Sequence, residues 1–174
     1  MNKNLLGIDF EEWFHPELIK KYLKDEKHEP KVVNGFDKIL ELLRKNETNA
    51  TFFVVGELLE FQPEILDRIL ENGHEIGFHT MNHLRLHDFS SKDMFSNELK
   101  KFSKLTNKKS KGFRAPTFSL DSSTSWMIDC LVENNYDYDS SIVPAKNSMY
   151  GHPNAQESPY RMSTPALKKN DKNG

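Results

Sequence analysis

Cysteine is almost missing from this chain: Cys130 is the only one in 174 residues. A single thiol excludes an internal disulfide and any metal cluster built on several thiolates, and it suits a reducing compartment. Long apolar runs are missing too. The stretch Leu5-Leu6-Gly7-Ile8 is too short for a signal-peptide core or a membrane span, so a cytoplasmic protein without a transmembrane segment is expected. No sign of charge dominates, because 24 Lys and Arg stand against 26 Asp and Glu for a net −2. The one dense basic run, Lys100-Lys101 to Lys108-Lys109-Ser110-Lys111, follows a predicted helix and reads as a solvated face, so nucleic acid is not an expected partner. What remains, 36% apolar and 29% charged, is the composition of one folded domain with a real core.

Short apolar runs alternate with amphipathic patterns. Leu5 to Ile8 predicts a strand ending at Asp9, and Ala50 to Val55 predicts one buried on both faces. His74 to Phe78 ends at His79, Lys111 to Arg114 is broken by Pro116, and Tyr136 to Asp139 makes a fifth strand. Between them lie helical stripes. The first runs through Phe36, Ile39, Leu40 and Leu43 with Asn34 as N-cap. The second is opened by Pro63 and stopped by Gly73, the third opens with a capping box from Ser90 to Asp93, and the fourth spans Ser122 to Asn134. Five strands with four helical crossovers predict an α/β fold with a parallel sheet or barrel. From Pro144 onward the pattern turns to loop chemistry. Residues 1–163 are taken as the domain and 164–174 as a polar, disordered tail.

In such an array the carboxyl ends of all strands share one rim, and the polar residues fall there. Asp9 and Glu11 share a side if the strand continues, so one could bind a metal while the other takes a proton. Two solvated acids would look the same. His79 and His83, four apart on a predicted helical turn, could hold one ion through neutral nitrogens. Two imidazoles and a carboxylate suit zinc, or another divalent ion such as cobalt, in a hydrolytic centre. Asp9 would then be the base, and Arg114 could hold a carboxylate ionised. Trp13 and Phe14 could stack on sugar rings or simply pack. The other five histidines, His15 among them, have no comparable geometric argument.

The segments Gly7-Ile8-Asp9-Phe10-Glu11-Glu12-Trp13-Phe14-His15, Ala50-Thr51-Phe52-Phe53-Val54-Val55-Gly56, Asn72-Gly73-His74-Glu75-Ile76-Gly77 and His79-Thr80-Met81-Asn82-His83 resemble the polysaccharide deacetylases. These are the NodB-homology proteins, carbohydrate esterase family 4. Gly112-Phe113-Arg114-Ala115-Pro116 resembles the family's arginine-proline motif and Tyr138-Asp139-Ser140-Ser141 its later aspartate-serine motif. The Asp-x-Glu-x-Trp-Phe variant, with Tyr150-Gly151 downstream, is most similar to the subgroup associated with exopolysaccharide and exosortase loci.

The resemblance implies a distorted (β/α) barrel that removes N-acetyl groups from a glycan. Asp9 matches the base, and His79 and His83 match the metal ligands. Phe10 stands where the family's metal carboxylate usually follows the base, so Glu11 takes that duty, with Glu12 as the substitute. Arg114 would orient Asp9, and a backbone N–H just after Pro116, on Thr117 or Phe118, would stabilise the oxyanion. Trp13, Pro116 and Asp139 are expected at the substrate. The family also places a Leu-x-His or His-Pro type motif near its C-terminus, whose histidine protonates the leaving amine. Here Leu167 is followed by Lys168 and Lys169, so a C-terminally truncated domain is expected, completed by a missing half or a second copy. A weak glycan-binding fragment and a hydrolase of small cyclic amides stay open as alternatives.

Overall fold

A computed structural model describes residues 5–24, 28–145, 147, 149–163 and 167–169. Five short strands form one sheet: β1 (Gly7–Phe10), β2 (Thr51–Val54), β3 (Glu75–Phe78), β4 (Gly112–Phe113) and β5 (Tyr138–Asp139). They lie in sequence order, β1-β2-β3-β4-β5, and every neighbouring pair is parallel. Each crossover therefore moves one strand onward, the winding of a barrel wall. The crossovers carry α1 (Glu17–Lys20) with α2 (Val32–Lys45), α3 (Gly56–Phe61) with α4 (Glu64–Glu71), then α5 (Lys92–Leu105) and α6 (Trp126–Glu133). The expected α/β architecture is present. The two shortest helices, α1 and α3, were not foreseen because four to six residues give too little periodicity to read. No helix among the described residues is long and apolar enough to cross a membrane.

Alternation along the strands separates two environments. Phe10, Phe52, Val54, Ile76, Phe78 and Phe113 face the helices and are fully or almost fully buried. Their rings interlock with those of the helices, Phe10 on Phe36 at 4.7 Å and Phe78 on Phe102 at 4.5 Å between centroids. The opposite face carries glycines, polar residues and the ring of Phe53. A Cβ on Gly7 would lie 2.4 Å from Arg114 Nη2, one on Gly77 2.5 Å from Phe53 Cδ1, and one on Gly112 2.2 Å from Tyr138 Cζ. The three glycines make room for three large side chains inside the wall.

Several local expectations are corrected. Helix α2 starts at Val32, before Asn34, because a distant carboxylate caps it: Glu12 accepts the N–H groups of Lys31 (2.7 Å) and Val32 (3.2 Å). In α5 the cap is Ser91, which accepts from Met94 N–H, so the box is displaced by one residue. Helix α6 begins at Trp126, because Ser122 to Ser125 form a turn in which Asp121 Oδ1 accepts the Ser123 N–H at 2.8 Å. Lys168–Lys169, expected in a disordered tail, pairs antiparallel with Met162–Ser163 as β7 and β6, and Leu167 is buried in the core. Residues 164–166 and 170–174 of that tail lie outside the described residues.

Gly77→Ala is expected to destabilise the fold by about 1–3 kcal/mol through overpacking against a ring that cannot retreat. Urea denaturation of the variant beside the wild type measures it.

Candidate metal centre

Each strand delivers a residue to the same rim. Val55 N–H donates to Phe10 O, His79 N–H to Val54 O, Arg114 N–H to Phe78 O and Ser140 N–H to Phe113 O, at 2.8–3.1 Å. The ladder thus runs one residue past each strand and fixes the height at which the next side chain emerges. Glu11, His79 and His83 meet there, with one ligating atom of each within 4.8 Å of the others. Both histidines are buried. The His79–His83 pair does not ride on a helical turn as expected. A tight bend brings the rings to 5.0 Å between centroids, with Thr80 and His83 at φ of +59° and +54°. A β-branched residue at positive φ is strained, and strain of this kind collects at functional sites.

Protonation is set by the surroundings. His79 Nδ1 donates to Arg114 O at 2.6 Å, so its Nε2 carries the free lone pair. Burial lowers His79 to about 4, which keeps the ring neutral at physiological pH. Burial pushes Glu11 the other way, but the imidazoles of His83, His79 and His15 outweigh it and hold the carboxyl below its ordinary range. Glu11 Oε2 lies 2.7 Å from His83 Nε2. Yet that oxygen is buried and makes no hydrogen bond among the described residues. A carboxylate oxygen packed against an imidazole nitrogen without hydrogen-bond geometry is costly unless a cation sits between them. The donor set fits a divalent ion. Glu12 does not compete for it, because its carboxylate is spent on capping α2 and the residue is buried.

Asp9 stands beside this trio. Arg114 Nη1 donates to Asp9 Oδ1 at 2.8 Å. The guanidinium is itself clamped, with Nε on Ser140 O at 3.2 Å, Nη2 on Ser140 Oγ at 2.9 Å, and its carbon 4.1 Å from the Phe53 ring centre. The turn after β4 puts Thr117 and Phe118 at φ of +54° and +48°. Phe118 N–H is turned back onto Ala115 O at 3.0 Å, so of the two expected oxyanion donors only Thr117 is not committed to that turn. Pro116 is buried beneath it.

Asp139 is placed behind the site. Its carboxylate accepts the Ser141 N–H at 2.9 Å and the Ser141 hydroxyl, and Ser141 Oγ accepts Ala115 N–H at 2.8 Å. These bonds make Asp139 a brace between the ends of β4 and β5. Burial pushes Asp139 up to about 6 despite Ser141 and the nearby Arg114 charge. Trp13 is 45% exposed, with its indole N–H donated to Glu29 O at 3.1 Å. Three further residues at the site were not read from the sequence as parts of it: His15, Glu57 and Asn82. His15 belonged to a quoted motif and could have been flagged on that ground. Glu57 carried no signal.

A model of the family described as polysaccharide deacetylase matches residues 25–136, and the chain belongs to that family. It is 40% identical over 81 residues to a peptidoglycan-N-acetylglucosamine deacetylase of Bacillus cereus, a match covering 45% of this chain and 38% of the relative. A chitooligosaccharide deacetylase of Bradyrhizobium is 42% identical over 45 residues, covering 26% of this chain and 20% of the relative. Among solved structures, a peptidoglycan N-acetylglucosamine deacetylase superposes with a TM-score of 0.55 at 24% identity, over 78% of this chain and 54% of that one. A family 4 carbohydrate esterase from Streptomyces lividans gives 0.56 at 15% identity, over 77% and 59%. The chain thus spans little more than a third of the first relative and just over half of these structures.

His79 and Asp139 oppose each other in pH dependence. His79, lowered from 6.5 to about 4, binds fewer protons folded than unfolded, so its contribution to stability rises with pH across that window. Asp139, raised from 3.8 to about 6, binds more protons folded, so its contribution falls as pH rises over nearly the same range. In metal-free protein Asp139→Asn removes the falling term. Its urea-unfolding free energy should climb more steeply than that of the wild type, by on the order of 2 kcal/mol between about pH 4 and pH 6.

Proposed function

We propose that this chain is the catalytic part of a metal-dependent hydrolase that removes N-acetyl groups from a polysaccharide or oligosaccharide. The observation that carries the reading is the buried trio of Glu11, His79 and His83 set beside the Asp9–Arg114 ion pair. Glu11, His79 and His83 would hold the ion, and the two-nitrogen, one-oxygen donor set favours zinc. When bound, such an ion supplies Lewis acidity to an amide carbonyl and to attacking water.

The chain's own residues do the rest. Asp9, oriented by Arg114, takes the proton from water as it adds to the acetyl carbonyl. Thr117 N–H meets the developing oxyanion. Collapse breaks the C–N bond as the proton taken up by Asp9 passes to the leaving nitrogen, yielding acetate and the sugar amine. Trp13, held by Glu29 O at its indole N–H and partly exposed, offers a platform for a sugar ring. The Asp9-Phe10-Glu11 spacing with Trp13-Phe14 supports placement in the exopolysaccharide-associated subgroup, so the glycan is a secreted polymer of N-acetylated sugars.

Acetate release from N-acetylglucosamine oligomers, after metal removal and reloading with zinc or cobalt, tests the reading. Metal-restored release is the expected result. Stoichiometric metal and saturable glycan binding without acetate would replace it with a binding-only domain. Two substitutions separate the duties. Asp9→Asn is expected to keep one metal per chain while losing about 10²–10⁴-fold in rate. His79→Ala is expected to lose the metal, read by elemental analysis after dialysis. Metal loss in the Asp9 variant alone would exchange the roles of Asp9 and Glu11.

A further inference from the structure

The metal trio comes from two loops that are not neighbours. Glu11 follows β1 and the histidines follow β3, while β2 lies between them. Whatever leaves the carboxyl end of β2 therefore emerges between both loops along the sheet. That place is taken by Glu57, the second residue of α3. Its Oε1 lies 2.7 Å from His15 Nε2, in the loop after β1, and its Oε2 accepts Asn82 Nδ2 at 2.7 Å, in the bend between His79 and His83. The backbone repeats the tie: Glu57 N–H donates to Met81 O and Gly56 N–H to Thr80 O, both at 2.9 Å.

His15 is committed on both sides. Its Nδ1 accepts Glu12 N–H at 3.1 Å, which leaves Nε2 as the protonated nitrogen that donates to Glu57. The ring is 3% exposed and lies parallel to that of His83, 6.0 Å between centroids and 13° apart. It thus forms a wall against which His83 is set. A buried imidazole with both nitrogens engaged and one face on a ligand ring is not a proton carrier. It is a fixed spacer.

We propose that His15, Glu57 and Asn82 form a clasp that sets the distance between Glu11 and the two histidines, so that metal affinity is determined from the end of β2. This rests on the metal reading of the trio. The three are positioning residues, and they act through Glu11 and His83. The family's ligands are supplied by the two outer loops, and here the strand between them supplies the ruler. A carboxylate suits the task because it accepts on two oxygens in opposite directions, and its ordinary range is lowered further by the His15 and Asn82 hydrogen bonds.

Cobalt binding to the full chain tests this, by visible absorption and by competition with a chelator. Glu57→Ala is expected to bind Co²⁺ about 10–100-fold more weakly and with a changed ligand-field spectrum. Glu57→Gln should stay near the wild type, because its amide oxygen still accepts from His15 and Asn82 can rotate its own amide to match. A purely structural role would lower the melting temperature of the metal-free protein and leave cobalt affinity and spectrum alone. That result overturns the proposal. Should Glu57→Ala not fold, Asn82→Ala carries the same expectation, and wild-type cobalt binding in it is equally fatal. Absence of cobalt binding by the wild type would remove the metal centre and the clasp together, an outcome distinct from a wild type that binds and variants that bind as well.

Discussion

Parallel pairing in a fixed register is the constraint on which the site depends. Phe10, Val54 and Phe78 lie in one row, and the hydrogen-bond ladder continues past them to Val55, His79, Arg114 and Ser140. A backbone amide that must find its partner in the strand before it leaves little freedom in where the next side chain emerges. Groups separated by 105 residues in sequence, Asp9 and Arg114, are held at 2.8 Å by this arithmetic of exits. The aromatic layer on the outer face supplies the driving force, and the three glycines on the inner face supply the room.

Electrostatics then divides the rim into two parts with different demands. A neutral nitrogen is needed where the proposed ion binds, and burial keeps the ring of His79 so. A fixed carboxylate is needed where the proposed reaction takes a proton, and the Arg114 fork orients Asp9 by donating to its Oδ1 at 2.8 Å. The fork would be useless if it could swing. Ser140, Phe53 and the gap left by Gly7 confine it from three directions.

Much of this is legible in the amino-acid sequence. Alternating strand and helix patterns point to the parallel sheet, and the polar residues at strand ends point to Asp9, Glu11, His79 and Arg114, because those signals are local and periodic. Signals that failed were the non-local ones. Nothing near Val32 shows that Glu12 caps its helix, since the capping group comes from twenty residues upstream. The bend at His79 to His83 read as helix because an i, i+4 pair looks alike in both, and only positive φ at Thr80 and His83 tells them apart. Glu57 was invisible for a third reason. Its importance lies in standing between two loops, and a one-dimensional pattern carries no such notion.

Arg114 also has a bearing on how the chain acquires its site over time. Its guanidinium joins the first strand to Ser140, just beyond the fifth, and so spans almost the whole sheet. Contacts of such long sequence separation form late, after the shorter strand–helix–strand units have collapsed. During synthesis, Glu11, His79 and His83 are already available once the chain has passed the third strand, whereas Arg114 follows about thirty residues later and Ser140, which clamps it, nearly sixty. On the proposed reading the trio is therefore complete before the clamp on Asp9, and a nascent chain could gather an ion before it could use one.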